Sequence, residues 1–78
     1  MENRLSYEAK LLLKQMGQHI KALRTFLKMT QLDVALDAGM DLKNYVKIEQ
    51  GEANPTVITL SHIASALKVS LSNLLMIN

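Results

Sequence analysis

The stretch Gln31–Gly51, QLDVALDAGMDLKNYVKIEQG, decides how this chain folds. Thr30, just before it, can accept the free N–H groups of a helix start. Asp33 stands three residues on, and Val34, Ala35 and Ala38 fall on one side of the helix that follows. Gly39 gives the backbone the freedom to leave that helix in one step. Asp41 then caps a second helix, which runs to about Gln50 and stops at Gly51. At about 3.6 residues per turn, Tyr45 and Ile48 share one face of it, while Lys43, Lys47 and Gln50 share the opposite face. A helix, a short glycine-containing turn and a second helix with a polar stripe form a shape that fits the major groove of duplex DNA.

Outward from this stretch the chain stays helical. Towards the N-terminus, Leu5, Ala9, Leu12, Met16, Ile20, Leu23 and Leu27 recur every three or four residues, which predicts an amphipathic helix over residues 6–28 with Ser6 as its cap. Gly17 lies inside it, at a cost of roughly 1 kcal/mol relative to Ala. It is a candidate break between a short leading helix and a main helix from about Met16. Towards the C-terminus, Asn54-Pro55-Thr56 reads as a turn into a helix from Val57 to Lys68, with Val57, Leu60, Ile63, Ala64 and Leu67 as its buried stripe. Ser70 caps a last short helix through Leu75. The expected fold is all-α, a compact bundle of five helices whose first is extended or split. Residues 1–15 form an N-terminal helical extension, and residues 16–78 form the main domain.

Composition narrows the function. Seventy-eight residues suffice for one domain with a modest core. There is no cysteine, so neither a disulfide framework nor a thiolate metal site is available, and His19 and His62 lack partners at ligand spacing. No cofactor and no metal are expected. No apolar run reaches membrane-spanning length, and the expected location is the cytoplasm. No nucleophile elbow, phosphate loop or metal-ligand run accompanies the serines and histidines, which argues against an enzyme.

Charge is unevenly spread. The net value is +2, yet residues 1–30 hold six Lys/Arg against two Glu, while residues 31–78 hold three Lys against five Asp/Glu. The groove-shaped half is thus slightly acidic, which counts against tight non-specific binding of nucleic acid by a single copy.

Four strings in order, GQHIKALR, TQLDVALDAG, YVKIEQG and NPTVITLSHIASALKVSLSNLL, resemble the phage-repressor and Cro type of helix-turn-helix domain, also called Xre-type. They cover most of the chain from about Met16 to Leu75. The length and the leading extension are similar to restriction–modification controller proteins and phage-type regulators. The resemblance implies a lambda-repressor-like DNA-binding domain in a sequence-specific transcriptional regulator. It also implies residue roles. Leu42, Lys43, Val46 and Lys47 would face base edges, where lysine can donate to guanine and Leu or Val can meet a thymine methyl. Gln31, Asn44, Gln50 and Asn54 would lie at the sugar–phosphate backbone. Leu42 departs from the pattern, since many relatives carry a polar residue there. Arg24 and Glu49 would form a partly buried ion pair between the first helix and the recognition helix, answering the carboxylate's clash with the helix dipole. Tyr45 is expected in the core with its hydroxyl at the rim.

Assembly is the last expectation. Leu71, Leu74, Leu75, Met76 and Ile77 crowd the final eight residues, more apolar surface than a short terminal helix can hide. They predict a two-fold homodimer through Leu71, Leu74, Leu75 and Ile77, acting on a (pseudo)palindromic DNA operator. Packing of Leu5 and Leu12 against this patch is the competing outcome. RNA polymerase is a further partner if the role is activation. The rival function is a protein-interaction module such as an antitoxin, which the acidic Asp33, Asp37, Asp41 and Glu52 keep open.

Overall fold

Each helix begins on a side-chain oxygen. In the computed structural model, which describes residues 6–76, the helices are α1 (Tyr7–Phe26), α2 (Gln31–Asp37), α3 (Leu42–Glu49), α4 (Val57–Ala66) and α5 (Leu71–Leu74). Their caps are Ser6, Thr30, Asp41, Thr56 and Ser70, each accepting the N–H three residues on. At α2 the bond is returned. Asp33 N–H donates to Thr30 at 3.0 Å, and the Asp33 carboxylate accepts the Thr30 N–H at 2.8 Å, which satisfies two orphan donors at once.

The helix ends share a second device. After α1, α2, α3 and α4 one residue turns into the left-handed region, and the next N–H reaches back to the last turn: Met29 to Arg24, Met40 to Ala35, Glu52 to Lys47, Val69 to Ala64. Gly39 does this at little cost. Lys28 and Lys68 do it with side chains, at φ 59° and 60°. The helices expected to reach Lys28 and Lys68 therefore stop at Phe26 and Ala66, because those lysines are the residues that leave the helix.

Gly17 does not break α1. The helix runs unbroken through the expected boundary at residues 15 and 16. A β-carbon at position 17 would overlap the Glu49 carbonyl oxygen and lie 2.5 Å from that of Ile48. The glycine is what lets α1 cross directly over the end of α3.

One core unites the elements: Met16 and Ile20 from α1, Val34, Ala35 and Ala38 from α2 and its cap, Tyr45 and Ile48 from α3, Leu60, Ile63, Ala64 and Leu67 from α4, and Leu74 from α5. α1 packs on α3 and α5, α2 on α3 and α4, and α4 on α5. Four expected core residues lie outside it, Ala9 among them, half-exposed on the first turn of α1. Leu12 is 54% exposed, Leu27 is exposed at the C-cap of α1, and Val57 is 63% exposed at the first position of α4. Leu13 takes the inward place instead, because it lies three residues before Met16 and seven before Ile20 and so returns to their side. Leu5 lies outside the described residues. No helix among those described is long and apolar enough to cross a membrane.

Leu74 requires a correction. It is fully enclosed by its own chain, and Leu71 is half-buried against the same core, so the short last helix hides more than its composition suggested. Leu75 and Met76 stand exposed beside them, and Ile77 lies outside the described residues.

Candidate nucleic-acid interface

Eight residues make α3 roughly 12 Å long, and with side chains a helix is about 10–12 Å across, the width of a major groove. Asp41 starts the helix by accepting the Asn44 N–H at 3.3 Å. Tyr45, Ile48 and Glu49 turn inward. Leu42, Lys43 and Lys47 stand exposed and Val46 half-exposed on the other side, so the four expected base-facing residues share one accessible surface. Among the described residues their side chains make no hydrogen bond or ion pair with the chain itself. The two ammonium groups are free to meet acceptors, and two apolar groups lie beside them.

The four residues expected at the backbone are distributed differently. Asn44 and Asn54 line the same shallow recess of about 320 Å³, between α3 and the start of α4, together with Pro55, Thr56 and Thr59. Gln50 is exposed at the C-cap of α3. Its carbonyl accepts from the Lys14 ammonium at 3.4 Å, which brings a cation from α1 to the end of α3. Gln31, at the start of α2, is half-buried, and its amide donates to the Glu49 carboxylate at 3.0 Å.

Glu49 is the centre of the inner side. It is 7% exposed and accepts four hydrogen bonds: from Arg24 Nε at 2.6 Å, Arg24 Nη2 at 3.1 Å, the Tyr45 hydroxyl at 2.5 Å and Gln31 Nε2 at 3.0 Å. Arg24 also donates from Nη1 to the Met29 carbonyl at 2.9 Å, which ties down the loop before α2. One carboxylate thus joins α1, α2 and α3. The guanidinium supplies the positive charge that the carbonyl end of α3 calls for and that Glu49 alone would oppose. Burial pushes the Glu49 carboxyl up, but the bonds from Arg24, Tyr45 and Gln31 outweigh it and hold the group below its ordinary range. Burial, reinforced by the bond to Glu49, drives the Tyr45 hydroxyl above the usual phenol range. The hydrogen bond to Glu49 raises Arg24.

The Tyr45 hydroxyl is therefore not at the rim. Tyr45 is wholly buried and its hydroxyl points at Glu49, one turn further along the helix. That i, i+4 spacing was legible as a possible pair. The roles of Gln31 and Lys14 depend on residues 18 and 36 positions away, and no local pattern shows them.

A helix-turn-helix domain family matches residues 17–78, which leaves the first turns of α1 outside the match. The immunity repressor protein of Bacillus phage phi105 is 38% identical over 56 residues, 72% of this chain and 39% of the repressor's length. The HTH-type transcriptional regulator y4dJ of Sinorhizobium fredii is 39% identical over 57 residues, covering 73% of this chain and 74% of that protein. Among solved structures, the restriction-modification controller protein C.AhdI from Aeromonas hydrophila superposes with a TM-score of 0.78 at 27% identity, over 80% of this chain and 94% of that one.

Proposed function

Since the chain belongs to the helix-turn-helix domain family of DNA-binding transcription regulators, we propose that it acts in the cytoplasm as a homodimer on a (pseudo)palindromic operator. Each subunit would insert α3 into one major-groove segment, with half-sites about one helical turn, roughly 34 Å, apart. Leu42, Lys43, Val46 and Lys47 would meet base edges, and Asn44, Gln50 and Asn54 the flanking sugar–phosphate backbone. The observation that carries this reading is the free outer side of a helix whose inner side is pinned by Tyr45, Ile48 and Glu49. Binding energy can then go to the groove without first ordering the helix.

Two copies answer the charge balance. Three lysines against five acids between residues 31 and 78 give one subunit little purchase on phosphate, and a second copy doubles the groove contacts. Leu75 and Met76 offer exposed apolar surface for pairing, with Leu74 and Leu71 as the support beneath. A regulator so placed represses by occluding RNA polymerase or activates by touching it.

Selection of duplexes from a random pool by the wild-type chain tests the proposal, together with its sedimentation at about tens of micromolar, the affinity range of a weak dimer. Enriched inverted repeats and a dimeric boundary are the expected results. The variant Leu75→Asp with Met76→Asp should sediment as a folded monomer. A single unrepeated site bound by a monomer would overturn the homodimer, and a pool with nothing enriched would overturn sequence-specific reading itself.

A further inference from the structure

We propose that Gln31 is a positioning residue for the recognition helix, which sets the specificity of DNA reading through its hydrogen bond to the Glu49 carboxylate. The inference rests on the reading of α3 as the helix that enters the groove. Glu49 has two kinds of partner. Tyr45 belongs to the same helix, and Arg24 comes from α1 with its guanidinium nearly buried. Gln31 is the one donor from α2, so its 3.0 Å bond is the polar link between the two helices of the motif at this carboxylate.

The consequences are geometric. α2 and α3 are joined by only the four residues 38–41, and their mutual angle is otherwise held by small apolar contacts at Val34, Ala35, Tyr45 and Ile48. Apolar contacts are non-directional and tolerate small rotations. A hydrogen bond to a charged acceptor is directional and short-ranged. With the bond in place, the end of α3 cannot turn relative to the start of α2 without giving up one of the two hydrogen bonds at Oε1 of a buried carboxylate, the other being from Arg24. Lys43 and Lys47 project from that helix, so a small rotation moves their ammonium groups across base edges. Gln31 is also half-exposed, and solvent satisfies the second N–H and the carbonyl oxygen of its amide.

The test compares Gln31→Met, which keeps the length and loses the donor, with Gln31→Lys, which restores a donor. The probes are the duplex enriched from the random pool by the wild type and a scrambled duplex of equal length. For Gln31→Met the ratio of enriched to scrambled affinity should fall about tenfold, the size of one charge-assisted hydrogen bond. Scrambled-duplex binding and its salt slope should stay unchanged, and the melting temperature should fall by several degrees, far less than for Glu49→Ala, because Arg24 and Tyr45 still hold the carboxylate. Gln31→Lys should recover the ratio. In carbon-13 titration the Glu49 carboxyl of Gln31→Met should move up towards its ordinary value. A parallel loss on both duplexes makes Gln31 a phosphate ligand only and overturns the proposal. So does an unchanged ratio, or an unmoved Glu49 titration. If no duplex is enriched by the wild type, the reading of α3 fails and this inference with it, a result visible before any variant is made.

Discussion

The two sides of α3 differ in how much the fold specifies them. On the inner side Glu49 receives four hydrogen bonds from three side chains, Tyr45 is sealed, and α1 crosses at Gly17 so closely that no side chain fits. On the outer side Leu42, Lys43, Val46 and Lys47 have no polar partner in the chain among the described residues. A buried charge must be paired, so the inner residues constrain one another. An exposed residue is constrained only by what it meets, so the outer four can change without unfolding the helix that carries them. A fixed inner side under a replaceable outer side is how one fold can serve many DNA sequences. Substitutions on the inner side should therefore act on stability first, and those on the outer side on binding first.

Glu49→Ala should show the largest effect. It leaves the Arg24 guanidinium nearly buried and without its carboxylate, and the Tyr45 hydroxyl without an acceptor, a loss of about 3–5 kcal/mol for a buried pair broken on one side. Circular dichroism at rising temperature should show a large fall in midpoint, with DNA binding lost alongside. The same carboxyl sets an acid limit. Its folded value is depressed below the unfolded one of about 4.3, so the unfolded chain binds more protons in acid. Its contribution is fully present above about pH 4.3 and is lost as pH falls through the depressed value. Wild-type stability should decline across that window, and the Glu49→Ala variant should show a shallower decline. A wild-type-like melting point for Glu49→Ala would erase the contrast between the two sides.

Gly17→Ala tests the inner side by shape rather than charge. The added carbon meets backbone carbonyls of Ile48 and Glu49, which cannot swing away as a side chain would. Overpacking of about 3 kcal/mol, less about 1 kcal/mol gained from helix propensity, leaves a net loss of about 2 kcal/mol. Denaturant unfolding measures it. A stabilised variant would mean that α1 and α3 can separate at no cost, and that the glycine is not what sets their crossing.

How much of this was legible in the sequence follows the same division. Ser6, Thr30, Asp41 and Ser70 announce helix starts because a cap bonds within three residues of itself. The periodic apolar residues of α2 and α4 place most of the core by the same local logic. Gly17, Gln31 and the Tyr45 hydroxyl answer to groups that the chain reaches only once folded, or to a rotamer choice within a turn. Leu74 misleads for a related reason: composition counts apolar residues but does not say which way a four-residue helix turns them. Lys28 and Lys68 end helices without the glycine that usually marks such a turn.

Lys47→Ala moves to the outer side. The fold should keep its melting point, since the side chain is exposed and makes no hydrogen bond or ion pair among the described residues. Affinity for the enriched duplex should fall by about 1–3 kcal/mol with relaxed preference at one base pair per half-site, if the ammonium reads a base. If it meets phosphate instead, enriched and scrambled duplexes should weaken together and the salt slope should shrink by about one. Titrations at several salt concentrations separate the two. A change in melting temperature comparable to that of Glu49→Ala would place Lys47 in the structural set.

Leu42→Ala carries the smallest expected effect and the sharpest division between the sides. Leu42 is the first residue of α3 and 39% exposed, so truncation removes the covered part of one side chain at a helix end, while alanine is at least as good a helix former. Stability should fall by no more than about 1 kcal/mol, well below a core truncation. Leucine has no donor or acceptor, so whatever it reads in a groove it reads by contact, and the thymine methyl is the apolar feature a major groove offers. Losing that contact should cost about 1 kcal/mol, near the value of one buried methylene group. Replacing each thymine of the enriched duplex by uracil, which removes only the methyl, should reproduce the loss in wild type at one position and add nothing further in Leu42→Ala. An equal further loss in the variant would show that the methyl is read elsewhere, and that Leu42 belongs to neither side of the comparison.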